Sequence, residues 1–180
     1  MEKELEVKVL DIDFDVVEKK IKDLGGELIA DERQENILID SSEKPIKDRL
    51  DGYLRIRETE DLIGGKKASV FTLKKQVENE NLRENIEIST EVENKDNLIL
   101  ILKSLGFDKV DTGYKDRKSY KLQGARIDMD TWDKDTYPYP YMEIEVGDEE
   151  ELQEIIQLLE LPKDKISNKS ILQLKEELNS

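Results

Sequence analysis

Apolar and polar residues alternate at the start of the chain, where Leu5 and Val7 sit between Glu4, Glu6 and Lys8. Successive side chains of a strand point to opposite faces, so this period of two predicts a strand over about 3–10 with its charges on one side. Asp13 then reads as the cap of an amphipathic helix with Phe14, Val17, Ile21 and Leu24 as its stripe, closed by Gly25-Gly26. An extended stretch over 27–40 follows, then a polar loop over 41–51 containing Pro45. Two strands over 53–59 and 68–75, joined by a turn at Gly64-Gly65, complete the first half.

The second half restarts with a strand over 82–91, and Asn94 or Asp96 begins a helix through Leu98, Ile101, Leu102 and Leu105 that ends at Gly106. Extended segments are predicted over 110–122, 125–132 and 141–146. Asp148 caps a third helix through Leu152, Ile155, Ile156 and Leu159, stopped by Pro162, and a last helix covers 168–178. Glu6 precedes Gly25 by nineteen positions and Glu87 precedes Gly106 by nineteen, so the two halves, about 1–78 and 82–147, read as a pseudo-repeat followed by the C-terminal helices of 148–180. On that alignment Glu4 matches Asn85, and Gln34 and Asn36 match Lys115 and Arg117. No Pro/Gly/Ser-rich linker divides the halves, so residues 1–180 are read as a single domain. Eight strands in two similar halves predict a closed antiparallel β-barrel, because closure removes exposed edges.

Composition narrows the chemistry mainly by what is missing. The chain has 180 residues, no cysteine and no histidine. That excludes disulfides, thiol nucleophiles, Cys/His zinc sites and a Ser-His-Asp hydrolase, and leaves oxygen ligands for any metal. A net charge of −15 argues against a nucleic-acid partner, though a local cationic pocket remains compatible with it. No apolar run approaches the roughly 18 residues of a membrane span, and the charged N-terminus lacks the apolar core of a secretory signal, so a cytoplasmic protein with no membrane partner is expected.

The strands carry both signs of charge in regular alternation. Arg55 and Arg57 flank Ile56, Lys74 follows Leu73, Arg83 and Glu87 flank the Asn85 position, Lys115 precedes Arg117, Asp128 and Asp130 flank Met129, and Glu143 and Glu145 flank Ile144. The helices must bury their apolar stripes against something. If they cover the aliphatic outside of the barrel, the charged faces line its interior, which must then be hydrated, mutually paired or filled by ligand. A cation-rich wall suits an extended polyanion, and paired carboxylates suit a hard divalent ion bridging it.

These residues, taken as Glu4-x-Glu6-x-Lys8, Leu54-Arg55-Ile56-Arg57, Thr72-Leu73-Lys74, Lys115-x-Arg117, Asp128/Asp130 and Tyr141-Met142-Glu143-Ile144-Glu145, resemble the CYTH, or triphosphate tunnel metalloenzyme, superfamily. The likeness runs in order along nearly the whole chain. It implies an α+β fold, an eight-stranded antiparallel tunnel with a charged lumen, covered outside by helices. It implies Mg2+ or Mn2+ held by Glu4, Glu6, Glu143 and Glu145 with help from Glu87 and Asp130. It also implies a triphosphate clamp of Lys8, Arg55, Arg57, Lys74, Arg83, Lys115 and Arg117. Lys8 or Lys74, with a pKa lowered among other cations, is expected to assist proton transfer. The first acidic position of the fifth-strand motif is Asn85 here, and the His-Phe pair that precedes the first motif of proteobacterial class IV cyclases is missing.

The expected function is metal-dependent hydrolysis of a triphosphate-containing small molecule: inorganic tripolyphosphate, thiamine triphosphate or a nucleoside triphosphate. The alternatives are a class IV-type adenylyl cyclase making cyclic AMP and pyrophosphate, and a module that binds polyphosphate or nucleotide without turnover. Trp132 reads first as a packing residue. Tyr137-Pro138-Tyr139-Pro140-Tyr141 reads as a rigid turn or as cover for the tunnel mouth. The acidic C-terminal helices read as solvated faces over the barrel. A homodimer is left open by the sequence.

Overall fold

A computed structural model of the chain describes residues 2–77 and 83–178, with the side chains of residues 2–4, 47, 76–77 and 83–84 outside the described set. Its elements run β1 (Glu2–Leu10), α1 (Phe14–Asp23), β2 (Glu27–Asp40), β3 (Gly52–Asp61), β4 (Lys67–Val77), β5 (Arg83–Glu91) and α2 (Lys95–Ser104). They continue with β6 (Lys109–Leu122), β7 (Ala125–Trp132), β8 (Tyr141–Val146), α3 (Glu149–Leu159), β9 (Ile166–Ser167) and α4 (Ile171–Leu178). The fold is α+β: a nine-strand antiparallel sheet and four helices among the described residues. The ninth strand, absent from the sequence reading, is two residues long and pairs with Lys8 and Val9 of β1.

Residues Glu2–Glu6 of β1 pair with β5 and residues Leu5–Leu10 pair with β8. The order of pairing therefore runs β1–β5–β4–β3–β2–β6–β7–β8 and returns to β1. One residue of slip would turn every charged side chain outward, so this register decides where the charges go.

The helices start and stop where local chemistry dictates. The Asp13 carboxylate accepts the Asp15 and Val16 amides at 3.0 and 3.2 Å, the Asn94 side chain accepts Asn97 N at 2.9 Å, and Asp148 accepts Glu151 N at 2.9 Å. Gly25 and Gly106 close α1 and α2 at φ of 85° and 91°, a conformation that costs glycine nothing. α3 stops earlier than Pro162 requires, at Glu160, which adopts φ of 53°. α4 begins at Ile171, three residues later than expected, after a Ser170 turn whose Oγ accepts Gln173 N at 3.1 Å.

The apolar strand faces pack outward against the helices. Val7, Val9, Ile127, Met129, Met142 and Ile144 form a core with Ile21 of α1 and with Leu152, Ile155, Ile156 and Leu159 of α3. Ile37, Ile39 and Ile56 pack against Leu98, Ile99 and Leu102 of α2. Here the expected stripe of α2 is corrected: Ile101 and Leu105 are 56% and 70% exposed. Residues 98–102 are all apolar, so periodicity could not choose the buried face. Nor do helices cover the whole outside, since Tyr114, Asp116 and Lys118 of β6 are exposed. No helix among the described residues is long and apolar enough to cross a membrane.

A polar link ties α1 to the sheet. The buried Tyr120 hydroxyl donates to Glu18 Oε1, which also accepts Lys22 Nζ at 2.9 Å. The Lys22 and Tyr120 hydrogen bonds together hold the Glu18 carboxyl down at about 2, against an ordinary 4.5. A carboxyl whose folded pKa is depressed stabilises the fold above its unfolded value and loses that contribution as pH falls through the folded one. Glu18→Gln should therefore cost about 1 kcal/mol at pH 7, and the gap from wild type should close as pH drops from about 4.5 towards about 2. Denaturant melts across that range check it; a gap that ignores pH would mean the charge is not its source.

Candidate functional site

Period-two alternation on eight strands, with the apolar set facing the helices, brings the charged set round a single cavity of about 330 Å³. β1 contributes Glu6 and Lys8, which lie opposite Glu145 and Glu143 of β8. β3 contributes Arg55 and Arg57, β4 Lys74, β5 Glu87, and β6 Lys115 and Arg117, all lining the same space. Asp128 of β7 also lines it. Asp130 stands behind the wall, fully buried, and holds two of its cations. The remaining expected site residues, Glu4 and Arg83, have side chains outside the described residues; their backbones pair with Asn85 and Glu6.

Most of the cations are neutralised by carboxylates of neighbouring strands. Arg117 donates from Nε and Nη2 to both Asp130 oxygens at 2.6 Å, from Nη2 to Glu143 at 2.6 Å, and pairs through Nη1 with Asp128 at 2.5 Å. This is the fork-to-carboxylate geometry that makes arginine hold its partners rigidly. Lys115 donates to Asp130 at 2.8 Å. Lys8 pairs with Glu143 at 3.0 Å and Lys74 with Glu87 at 2.9 Å, while Glu6 lies 3.7 Å from each of the two lysines.

Burial and neighbouring charge pull the titrations in opposite directions. Burial raises the Glu143 carboxyl, but Lys8, Arg117 and Lys115 outweigh it and hold the group well below the usual range. Asp130 behaves alike under Arg117 and Lys115, and Glu87 under Lys74, Arg55 and Arg57. Burial next to Arg117 and Arg57 drives Lys115 down to about 7, against the pull of Asp130. Burial, Arg55 and Arg117 push Arg57 down to about 9, still cationic at neutral pH.

Arg55 and Arg57 differ from the other cations. Neither lies in ion-pair contact with a carboxylate of the described residues: Arg57 Nε donates to Asn36 Oδ1 at 2.9 Å, and Arg55 lies 5.9 Å from the Tyr53 ring with its Nε unpartnered. The wall formed by β2 and β3 is thus rich in donors and poor in acceptors.

The donor chemistry fits a hard divalent cation, since Glu6, Glu143 and Glu145 project from one face of two adjacent strands and offer only oxygen. Among the described residues no three acidic side chains converge on a common point. Glu143 is engaged by Lys8 and Arg117, so an ion would take its carboxylates in competition with the cations.

Several lining residues escaped the sequence reading. Tyr53 continues the alternation of Arg55 and Arg57, and Asn36 that of Leu38, so the period of two held a signal for both. Ser170, Leu172, Gln173 and Glu176 also line the cavity, which corrects the placement of α4 over the outside. Ile171 and Leu174 dock this helix on Tyr137, Tyr141 and Trp132. Trp132 does pack there, and its indole nitrogen donates to Tyr141 at 2.8 Å, but it also borders the cavity and carries Lys115 Nζ 5.2 Å from its ring.

The CYTH domain matches residues 2–173. The chain belongs to the CYTH family. CYTH ligands are triphosphate compounds, and the family's members are typically triphosphatases that use divalent metals. No curated protein matches the chain. Among solved structures it is similar to the PH1819 protein of Pyrococcus horikoshii OT3, with 25% identity and a TM-score of 0.80, covering 97% of this chain and 99% of that one. A candidate adenylate cyclase from Vibrio parahaemolyticus shares the fold at 19% identity and a TM-score of 0.70, covering 98% of each chain. So does a candidate adenylyl cyclase from Hippeastrum with a dominant triphosphatase activity, at 13% identity and a TM-score of 0.64, covering 94% of this chain and 91% of that one.

Removing one partner of a buried ion pair leaves an uncompensated charge. Asp130→Asn, which strips the shared counter-charge from Arg117 and Lys115, should cost about 3 kcal/mol in urea denaturation. A loss below about 1 kcal/mol would mean that the other carboxylates and water already satisfy both cations.

Proposed function

We propose that this CYTH protein is a metal-dependent hydrolase of a triphosphate-containing small molecule bound inside a closed eight-stranded tunnel. The observation that carries the reading is the pair Arg55 and Arg57. They line a cavity in a chain of net charge −15, without a described carboxylate in contact, while Lys8, Lys74, Lys115 and Arg117 all have one. Two guanidinium groups facing a cavity are matched by an anion with several oxygens. The ring of strand pairings supports a tunnel, and the triphosphatase activity of the Hippeastrum protein supports hydrolysis.

A single domain over 1–180 made of two pseudo-repeated halves is part of this reading. Glu4 pairs with Asn85 and Gln34 with Lys115, and each is the match that the pseudo-repeat assigns by the same offset that links Gly25 to Gly106. A two-fold axis through both strand pairs accounts for that coincidence.

Arg55 and Arg57, joined by Lys8, Arg83, Lys115 and Arg117, bind the phosphate oxygens and neutralise the charge that grows on them as the bond to the leaving oxygen breaks. Glu4, Glu6, Glu143 and Glu145, with help from Glu87 in the wall and Asp130 behind it, would hold Mg2+ or Mn2+, which supplies Lewis acidity and a more acidic bound water. Lys8 and Lys74 flank Glu6 at equal distance, placed to give a proton from Nζ to the leaving oxygen.

The test is a panel of tripolyphosphate, thiamine triphosphate, ATP and GTP with Mg2+ or Mn2+, assayed for phosphate and for cyclic AMP. We expect phosphate release that Glu145→Gln abolishes and that Arg57→Ala lowers by about 10²-fold in kcat/KM. Cyclic AMP and pyrophosphate from ATP would make the protein a cyclase instead, and tight binding without product would make it a binding module. Unchanged turnover in either variant would remove the site assignment.

A further inference from the structure

We propose that Asn36 is a direct ligand of the triphosphate and the residue that makes this wall selective for an anion; the inference rests on the function proposed above. Asn36 is 2% exposed and borders the cavity. Its amide orientation follows from chemistry. Arginine offers only donors, so the atom facing Arg57 Nε at 2.9 Å must be the oxygen. The NH2 group is thereby turned away from Arg57, and Nδ2 has no hydrogen-bond partner. A buried amide donor without a partner carries an unrecovered desolvation cost unless a ligand or water meets it. Gly113 stands directly opposite on β6, and a Cβ there would meet the Thr136 and Trp132 side chains.

The surroundings name the ligand's chemistry. On one side lies the Arg57 guanidinium that Asn36 itself fixes, and Arg55 beyond it has an unpartnered Nε. Three neighbouring side chains thus present donors, and what meets them must be an acceptor-rich anion. An amide is also what keeps Arg57 available. A carboxylate at position 36 would accept from the same Nε, neutralise the guanidinium, and set a negative oxygen in place of the unpartnered Nδ2 donor. Asn36 therefore does two things: it orients Arg57 through Oδ1, and it contacts a phosphate oxygen through Nδ2.

The experiment compares wild type, Asn36→Asp and Asn36→Ala by calorimetric titration with tripolyphosphate, once in EDTA and once with Mg2+, alongside thermal melts without ligand. Asn36→Ala should weaken binding about 10-fold, the worth of one hydrogen bond to a charged group. Asn36→Asp, the same shape with opposite effect, should weaken it by about 100-fold or more through like-charge repulsion. Its ligand-free melting point should stay level or rise, because the new carboxylate pairs with Arg57. Wild-type affinity in Asn36→Asp overturns the inference and leaves the hydrolase reading standing. Melting of both variants well below wild type assigns Asn36 to packing and overturns it too. Failure of the wild type to bind in either arm overturns the functional reading and the inference together.

Discussion

A charge taken out of water must be met by another charge, and this requirement organises the interior of the protein. Seven charged side chains from six strands satisfy it around one cavity: Lys8 with Glu143, Lys74 with Glu87, and Arg117 with Asp128, Asp130 and Glu143. Such pairs seldom add stability over well-packed hydrocarbon. What they do add here is position. Arg117 is gripped through three donor nitrogens by residues on β7 and β8, so its place in the wall is fixed before any ligand arrives. Arg55 and Arg57 stand outside this economy, and their unmet charge is what a polyanion would satisfy.

Stability must therefore come from the other side of the sheet. Val9, Ile127, Met142 and Ile144 are fully buried beneath α1 and α3, and Ile56 beneath α2. Each fully buried aliphatic side chain contributes about 1.5–3 kcal/mol relative to exposure. The arrangement inverts an ordinary sandwich: hydrocarbon lies between sheet and helices, and charged side chains line the cavity on the sheet's other face. A single alternation in sequence serves both sides, which is why register carries so much weight. Ile144 and Glu143 are neighbours in the chain, yet one belongs to the core and the other to the site.

That same alternation made much of the fold legible from residues alone. Strands over 27–40, 125–132 and 141–146 were bounded by their polar and glycine punctuation, and the caps Asp13, Asn94 and Asp148 are the observed ones. Ten of the thirteen distinct expected site residues line one cavity, because period two assigns a face without ambiguity once the outside is known to be apolar. Where the pattern was uniform it failed. The unbroken apolar run of α2 gave no preference between Ile99 and Ile101, and only packing against Ile37 and Ile56 selects the former. α4 failed for another reason: its seating against Tyr137 and Tyr141 is a contact between distant segments, with no periodic trace in either. Asn36 was matched to Arg117 by the pseudo-repeat yet not read as a site residue, because an uncharged amide among arginines and glutamates carries no charge signal.

The acidic exterior sets the terms on which an anion could use this interior. With a net charge of −15, the long-range field opposes the approach of a triphosphate, and salt within a Debye length of about 8 Å weakens that opposition at physiological ionic strength. Attraction begins within the cavity, where Arg55 and Arg57 are half-buried and interact at a lower effective dielectric than surface groups. Added salt thus relieves the repulsion outside more than it screens the attraction inside. A surface phosphate site behaves in the opposite sense, losing affinity steeply as salt rises. Placing cations in a cavity of an otherwise acidic molecule favours a compact, densely charged anion that can enter it, and disfavours extended polyanions held along a surface.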